Sequence, residues 1–218
     1  VYSLAVTGDP EYLGGQPSSW SSQVDDSAFN YDEDFNRLFI ISTGNNRTIS
    51  PYVDYWEQAH LSQIEDPAQA WHAITVGAYT ELTTVDEYGY DEWSPFAEAG
   101  YVSPSARTSV NWGWKRQAPY KPELVAEAGN RLLSPDKQSL TEADTVSLLT
   151  TSGRTTGQLF ETTRDSSAAT AIVSNYAAQL MSEYSDLWPE TIRGLLIHSA
   201  KWTDKMSQRF NALKTAHT

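Results

Sequence analysis

The chain has 218 residues, carries 28 acidic against 15 basic side chains for a formal net charge of −13, and contains no cysteine. So acidic a chain lacks the basic surface that nucleic-acid phosphates require, and without thiols it forms no disulfide, thiolate metal site or cysteine nucleophile. No apolar run approaches the roughly 20 residues of a membrane-spanning helix, and the abundant aromatic residues argue against disorder. The composition therefore predicts a folded domain that binds neither nucleic acid nor a membrane.

The first third of the chain predicts alternating strands and helices. Short apolar runs bounded by turn residues predict buried parallel strands at 1–6, 38–41 and 73–76. Between the first two strands a helix is predicted, because apolar residues recur every fourth position from Trp20 to Ala28 behind a serine N-cap at 18 or 19. A second helix is predicted over 52–61. Strand, helix and strand joined by short connections indicate a right-handed βαβ unit.

The middle of the chain is irregular and its last third is helical. Residues 81–160 are rich in Gly, Pro, Ser, Asp and aromatics, which predicts functional loops or a mixed layer of loops and hairpins. Residues 168–184 predict a helix with a broad apolar face that includes Tyr176 and Tyr184. The small residues at its start allow it to pack closely between the layers of the fold. Pro189 in a first-turn position opens another helix. The whole pattern predicts an α/β domain whose helices cover a largely parallel sheet.

Two serines stand at the start of the predicted buried helix, in the segment Thr-Arg-Asp-Ser-Ser-Ala-Ala-Thr-Ala of residues 163–171. A hydroxyl there lies beside its own backbone N–H and the positive end of the helix, which stabilise a developing oxyanion. The small residues that follow allow a substrate backbone to approach closely. The alternative, which spacing alone favours, is that Ser166 or Ser167 is an ordinary N-cap.

A second segment, Ile-Ser-Thr-Gly-Asn-Asn at 41–46, leaves a buried strand and turns sharply. An Asn at the carboxyl end of a strand in an α/β fold lies at the edge where ligands bind, and the side-chain N–H₂ of Asn45 is a donor that suits an oxyanion. The alternative, which this segment alone favours, is a Gly-Asn turn that tolerates left-handed backbone geometry.

The order and surroundings of these segments resemble the second half of a subtilisin-like serine protease (subtilase) domain. The resemblance rests on Ser-Thr-Gly-Asn at 42–45, Val-Gly-Ala at 76–78, Lys-Pro-Glu-Leu-Val-Ala at 121–126, Ser-Ser-Ala-Ala at 166–169 and Thr-Ile-Arg at 191–193. It covers residues 1 to about 203. It implies the three-layer α/β fold of subtilisins with a mostly parallel sheet, here as an incomplete C-terminal portion, so that 1–218 is one partial catalytic domain.

The resemblance also implies catalytic roles. In the family, an aliphatic-Arg pair follows the nucleophile at a regular spacing, and here that pair is Ile-Arg at 192–193. Counting back by this spacing selects Ser167 as the nucleophile of a serine endopeptidase. Ser166, at the position of the family's Thr, is the alternative. Asn45 and the backbone N–H of Ser167 would then stabilise the oxyanion of an acyl-transfer reaction.

The substrate implied by the resemblance is a peptide or protein held in an extended groove. The segment that matches the family's substrate-binding strand comprises Ala5, Val6 and Thr7. The pocket for the residue before the cut would be lined by Ser42, Thr43 and Gly44. Within the family, the likeness is to a bacterial branch often encoded beside an AAA-type ATPase. The resemblance therefore implies two partners, the missing N-terminal half of the domain and an ATPase of this type.

The catalytic triad is incomplete in this chain. Subtilases place their Asp and His before the substrate-binding strand with which this chain opens, and none of its four histidines fits the family's His-Gly-Thr motif. No charged leader or cleavage site precedes that strand, so no secretory signal is visible. The chain is therefore expected to be part of a longer protease, inactive alone unless His and Asp come from another segment, because a serine without a base is a poor nucleophile.

Asp165 stands where the family has the Gly before its Thr-Ser pair. A carboxylate about 4 Å from a forming oxyanion would oppose it by about 4 kcal/mol at an effective dielectric of about 20. Pairing with Arg164 is expected to soften this repulsion. Together with the missing base, the substitution keeps a second hypothesis open, in which the chain is a catalytically dead subtilase-like module that binds peptides or assembles complexes.

Acidic clusters occur at 25–26, 32–34, 86–87 and 91–92. Many subtilases hold calcium, but no cluster here has a specific ligand pattern, and solvated acidic loops are the favoured interpretation. We therefore predict no cofactor and assign no metal site, with calcium as the alternative that no residue pattern assigns. A truncated subtilase leaves sheet strands without neighbours, so the chain alone is expected to dimerise, to exchange segments or to be marginally stable.

Overall fold

The computed structural model describes residues 1–8, 14–29, 36–114 and 117–216. Its strands are β1 (Tyr2–Leu4), β2 (Phe39–Ser42), β3 (Ile74–Thr80), β4 (Ser94–Pro95), β5 (Tyr101–Val102), β6 (Leu124–Glu127), β7 (Leu132–Leu133), β8 (Leu140–Thr141), β9 (Leu148–Thr151) and β10 (Phe160–Thr163). Its helices are α1 (Ser19–Phe29), α2 (Tyr55–Leu61), α3 (Asp165–Glu183), α4 (Pro189–Ser199) and α5 (Asp204–Ala216), with a short 3₁₀ helix at Asp144–Val146.

A mostly parallel sheet lies at the centre of the fold. Strands β1, β2, β3 and β6 run parallel in that order, and β5 pairs antiparallel with the end of β3. Side chains of successive residues point to opposite faces of a strand. Accordingly, Ile40 packs in the core on the α3 and α4 side, whereas Ile41 packs on the α1 side. The chain therefore has the predicted three-layer α/β fold, with a sheet between two helical layers.

The βαβ unit formed by β1, α1 and β2 confirms the prediction for the start of the chain. The hydroxyl of Ser18 accepts the backbone N–H of Ser21 at 2.9 Å, so Ser18 is the N-cap of α1. Helix α2 begins at Tyr55, three residues later than predicted, because the Asp54 side chain accepts the Trp56 N–H and caps it there.

The first strand differs from the prediction of a buried strand over 1–6. It is shorter, and the side chain of Val6 beyond its end is 66% exposed. β1 is an edge strand that pairs only with β2 among the described residues, and it ends two residues before Val6. Apolar side chains are buried only where other residues cover them, and the described residues leave most of the Val6 side chain uncovered.

Helix α3 carries the C-terminal half of the core. Its small residues Ala168 and Ala169 are buried against the sheet, as predicted. The predicted apolar face is too broad, because Tyr176 and Tyr184 are about half exposed at 54% and 52%. Helix α4 begins at Pro189 as predicted, and α5 was not predicted.

Residues 81–160 form the predicted mixture of loops and hairpins. Strands β4, β7 and β8 make a small antiparallel sheet, and β9 pairs with β10. This region brings Arg131 and Glu142 to the start of α3. None of the helices described is long and apolar enough to cross a membrane.

A buried charge network joins the segment before β6 to α4. The ammonium of Lys121 donates to Glu123 Oε1 at 2.5 Å and to the carbonyl of Ala73 at 3.1 Å, and Arg193 donates to the same Glu123 oxygen at 3.1 Å. Burial lowers the pKa of Lys121, while the Glu123 carboxylate opposes that shift. The network ties together two of the motifs on which the family resemblance rests.

Candidate active site

The turn after β2 sets the position of Asn45. Gly44 has φ = 77°, a left-handed conformation that glycine adopts without steric cost. A Cβ there would also overlap the carboxylate of Glu65 and lie 2.7 Å from its Cγ, so the site has no room for a side chain. The turn brings Asn45 to the first residues of α3, although 121 residues separate it from Ser166.

Asn45 and Ser166 are joined by hydrogen bonds. The side-chain oxygen of Asn45 accepts the backbone N–H of Ser166 at 3.0 Å and its hydroxyl at 2.7 Å. The same hydroxyl lies 2.8 Å from the carbonyl of Gly44, so its single proton is shared between two acceptors. Because a backbone N–H must meet an oxygen, these bonds also fix the orientation of the Asn45 amide, whose N–H₂ is left free to donate elsewhere.

The two candidate serines have different environments. Ser166 is fully buried and its hydroxyl is committed to Gly44 and Asn45. Ser167 is partly exposed, and its hydroxyl forms no hydrogen bond with any described residue. Its N–H lies in the first turn of α3, where backbone donors are unpaired and the helix dipole is positive.

Asp165 occupies a left-handed conformation, with φ = 68°, and its N–H donates to the carbonyl of Ala128 at 2.7 Å. Its carboxylate is bound by Nη2 of Arg131, at 2.9 and 3.2 Å. The expected partner was Arg164, which instead donates to Glu142 at 2.7 Å. The sequence carries no signal for the Arg131 pair, because the two residues are 34 positions apart and meet only in the folded chain.

The two segments assigned to substrate binding meet at Glu65, a buried residue that sequence reasoning missed. The hydroxyl of Thr7 donates to Glu65 Oε2. The other carboxylate oxygen forms an ion pair with Arg107 at 2.8 Å. Ala5 and Val6 are exposed beyond the end of β1, whereas Ser42, Thr43 and Gly44 are buried. The Glu65 side chain packs directly over Gly44, in the space that a larger residue at that position would need.

No histidine among the described residues contacts Ser167. The ring of His60 packs against Trp56, that of His72 packs against Phe29, and His198 is exposed at the end of α4. The fourth histidine, at position 217, lies outside the described residues. The described part of the chain therefore brings the candidate serine close to Asn45 and places no histidine beside that serine.

A cleft of about 370 Å³ opens beside Asn45 and Asp165. It is also lined by Arg47, Arg131 and Glu142, and we call it the Arg47 cleft. Its Arg131 contacts Glu142 at 3.4 Å as well as Asp165. The cleft thus combines the side chain of the candidate oxyanion residue with a network of guanidinium and carboxylate groups.

The acidic clusters do not form a metal site in the described part of the chain, which contains no group of three or more metal-ligating side chains. Two of the clusters bind backbone N–H groups instead: Asp25 accepts those of Trp71 and His72, and Glu87 accepts that of Asp144. The cluster at 32–34 lies outside the described residues.

Residues 1–214 match the family model described as the subtilase family, of S8 peptidases. The chain belongs to the subtilase family. A relative in Sinorhizobium fredii, described as an uncharacterized protein y4bN, is 25% identical over 214 residues. That match covers 92% of this chain and 48% of the relative, so this subtilase chain spans about half the relative's length.

Among solved structures, one titled for the structural basis of subtilase cytotoxin SubAB assembly is 18% identical to the chain. Its TM-score is 0.47, and the match covers 94% of this chain and 51% of that one.

Proposed function

We propose that this chain is the nucleophile-bearing half of a subtilisin-like serine endopeptidase. The observation that carries the proposal is the arrangement at the start of α3. Ser167 is partly exposed and its hydroxyl has no hydrogen-bond partner among the described residues, and two hydrogen bonds hold Asn45 at the adjacent residue, Ser166. Family membership supplies the reaction class, and the incomplete triad explains why the chain alone would be inactive.

In the proposed reaction, the hydroxyl oxygen of Ser167 attacks the scissile carbonyl carbon and its proton passes to a histidine supplied by another segment. The resulting oxyanion accepts hydrogen bonds from the Asn45 N–H₂ and from the Ser167 N–H. The C–N bond then breaks, the amine leaves with the proton, and an ester of Ser167 remains. Water attacks that ester by the same route and releases the acid. An aspartate from the missing segment would orient the histidine.

The substrate would lie extended along the edge of β1. Ala5 and Val6 are exposed, and β1 has only β2 as a sheet neighbour in the described chain, so an extended peptide is able to add there as a further strand. Thr7 would continue this contact, and the buried segment Ser42–Thr43–Gly44 would form the wall of the pocket for the residue before the cut. An AAA-type ATPase remains a proposed partner of the assembled protease.

Labelling by a fluorophosphonate, read by intact mass, tests the proposal. The chain is labelled alone and together with the polypeptide that precedes it in its full reading frame, with Ser167→Ala as the comparison. We expect labelling only in the assembled form, and its loss in Ser167→Ala. Equal labelling of Ser167→Ala, or labelling lost only in Ser166→Ala, would refute the assignment of the nucleophile.

The second candidate function is a peptide-binding or assembly module that has lost the chemistry. The observation that favours it is the absence of a histidine near Ser167 in the described residues, together with the carboxylate of Asp165 at the start of α3. The full reading frame distinguishes the two, since Asp-Thr-Gly and His-Gly-Thr motifs upstream would favour the protease. A folded assembled form that takes no label would favour the module.

A further inference from the structure

The Arg47 cleft contains one positive charge that no described residue neutralises. Both of its carboxylates are committed, since Asp165 is bound by Arg131 and Glu142 by Arg131 and Arg164. Arg47 is exposed and forms no ion pair or hydrogen bond with any described residue. In a chain with a net charge of −13, an uncommitted guanidinium inside a cleft is a specific attraction for an anionic group.

The cleft adjoins the proposed reaction centre on one side. Asn45 and Asp165 line it; Asn45 is hydrogen-bonded to Ser166, the residue before Ser167, and Asp165 precedes Ser167 by two positions. None of the residues 5–7 and 42–44, which the proposed function assigns to the acyl side of the substrate, lines it. The cleft therefore fits a substrate residue on the leaving-group side of the scissile bond.

We propose that the Arg47 cleft binds a carboxylate on the leaving-group side of the peptide, and that Arg47 selects it. This inference rests on the proposed function for the direction of the peptide. A guanidinium presents two parallel N–H donors to a carboxylate, which gives a short, charge-assisted and directional pair. The carboxylate is either the side chain of an acidic residue after the cut or the terminal carboxylate of a short peptide, and both have the same chemistry.

Peptide titration followed by NMR tests this without requiring catalysis. The ¹⁵N-labelled chain is titrated with alanine-based octapeptide amides that carry one glutamate or one glutamine, and with the glutamine peptide as a free acid. We expect the backbone amides of Asn46 and Asp165 to shift, and the glutamate amide to bind about tenfold more tightly than the glutamine amide. If the free acid binds as tightly as the glutamate amide, the terminal carboxylate is the recognised group.

The variant Arg47→Gln is expected to abolish the preference for the carboxylate while Arg154→Gln leaves it unchanged. Arg154 is exposed in the loop between β9 and β10 and does not line the cleft, so its variant has the same change in net charge. Equal affinities for the two amides, shifts confined to other surfaces, or no binding at millimolar peptide would each overturn the proposal. Failure of fluorophosphonate labelling would instead overturn the proposed function. The two failures are distinguishable, because the peptide titration does not require catalysis.

Discussion

Replacing Gly44 with alanine is expected to weaken both the fold and the candidate oxyanion site. A Cβ at this position would overlap the Glu65 carboxylate and lie 2.7 Å from its Cγ, closer than two carbon atoms can pack. The Glu65 side chain has little freedom to move away. One of its oxygens pairs with Arg107 at 2.8 Å, and the other accepts the hydroxyl of Thr7. Either the carboxylate or the turn that carries the next residue, Asn45, must therefore shift.

The expected cost has two separable parts. A left-handed conformation costs a non-glycine residue about 1–2 kcal/mol. Overpacking a filled site costs about 1–3 kcal/mol more, so Gly44→Ala should lower the free energy of unfolding by about 2–5 kcal/mol. Gly157 has φ = 90°, and a Cβ there would meet no atom within 4 Å. Gly157→Ala is therefore a control that retains the conformational cost and lacks the clash.

Urea unfolding followed by tryptophan fluorescence measures both variants. We expect Gly44→Ala to lose clearly more stability than Gly157→Ala. In the assembled protease, we expect it to slow fluorophosphonate labelling as well, by up to the factor of about 10²–10³ that loss of an oxyanion donor costs. An equal loss of stability in the two variants would refute the reasoning, because it would show that Glu65 yields without cost.

Three further predictions concern other parts of the chain. Glu123→Gln leaves the Lys121 charge buried with a neutral partner and is expected to lower the free energy of unfolding by about 3–5 kcal/mol in urea; a loss under about 1 kcal/mol would contradict this. Burial raises the pKa of Tyr55 above its ordinary value of 10.0, so its contribution to stability is complete below pH 10.0 and is lost as the pH rises further. Between neutral and alkaline pH, the free energy of unfolding in urea should therefore fall less for Tyr55→Phe than for the wild type. An identical fall in the two proteins would contradict this prediction. Ser166→Ala removes the donor that holds Asn45 at 2.7 Å and should slow labelling without abolishing it, whereas an unchanged rate would show that Asn45 needs no such support.

Much of the fold was predictable because its signals are local. The helical period, the proline at position 189 and the serine at position 18 each act over a few residues, and α1 and α4 formed where these signals predicted. The family resemblance assigned Asn45 and the start of α3 to one site, and in the folded chain Asn45 is hydrogen-bonded to Ser166.

The remaining features depend on distant residues and have no local signal. The exposure of Val6 depends on where β1 ends and on which distant residues cover the chain beyond it, and an apolar run carries no information on either. Glu65 is one of two adjacent acidic residues in a loop, and its burial follows only from its contacts with Thr7, Gly44 and Arg107. Such long-range polar contacts are therefore the part of a site that sequence patterns predict least well.

Asp165, which the family resemblance aligns with a glycine, has a backbone conformation that favours glycine. Asp165 has φ = 68°, which costs glycine least but which Asp adopts more readily than most other residues. Its carboxylate is compensated by Arg131, whose side chain is only 10% exposed, so the two residues should act as a unit. We expect Arg131→Gln alone to slow labelling of the assembled protease, and the addition of Asp165→Gly to that variant to restore it by removing the uncompensated charge. If the double variant labels no faster than Arg131→Gln, the carboxylate is not what opposes the oxyanion, and Arg131 supports the site only through packing.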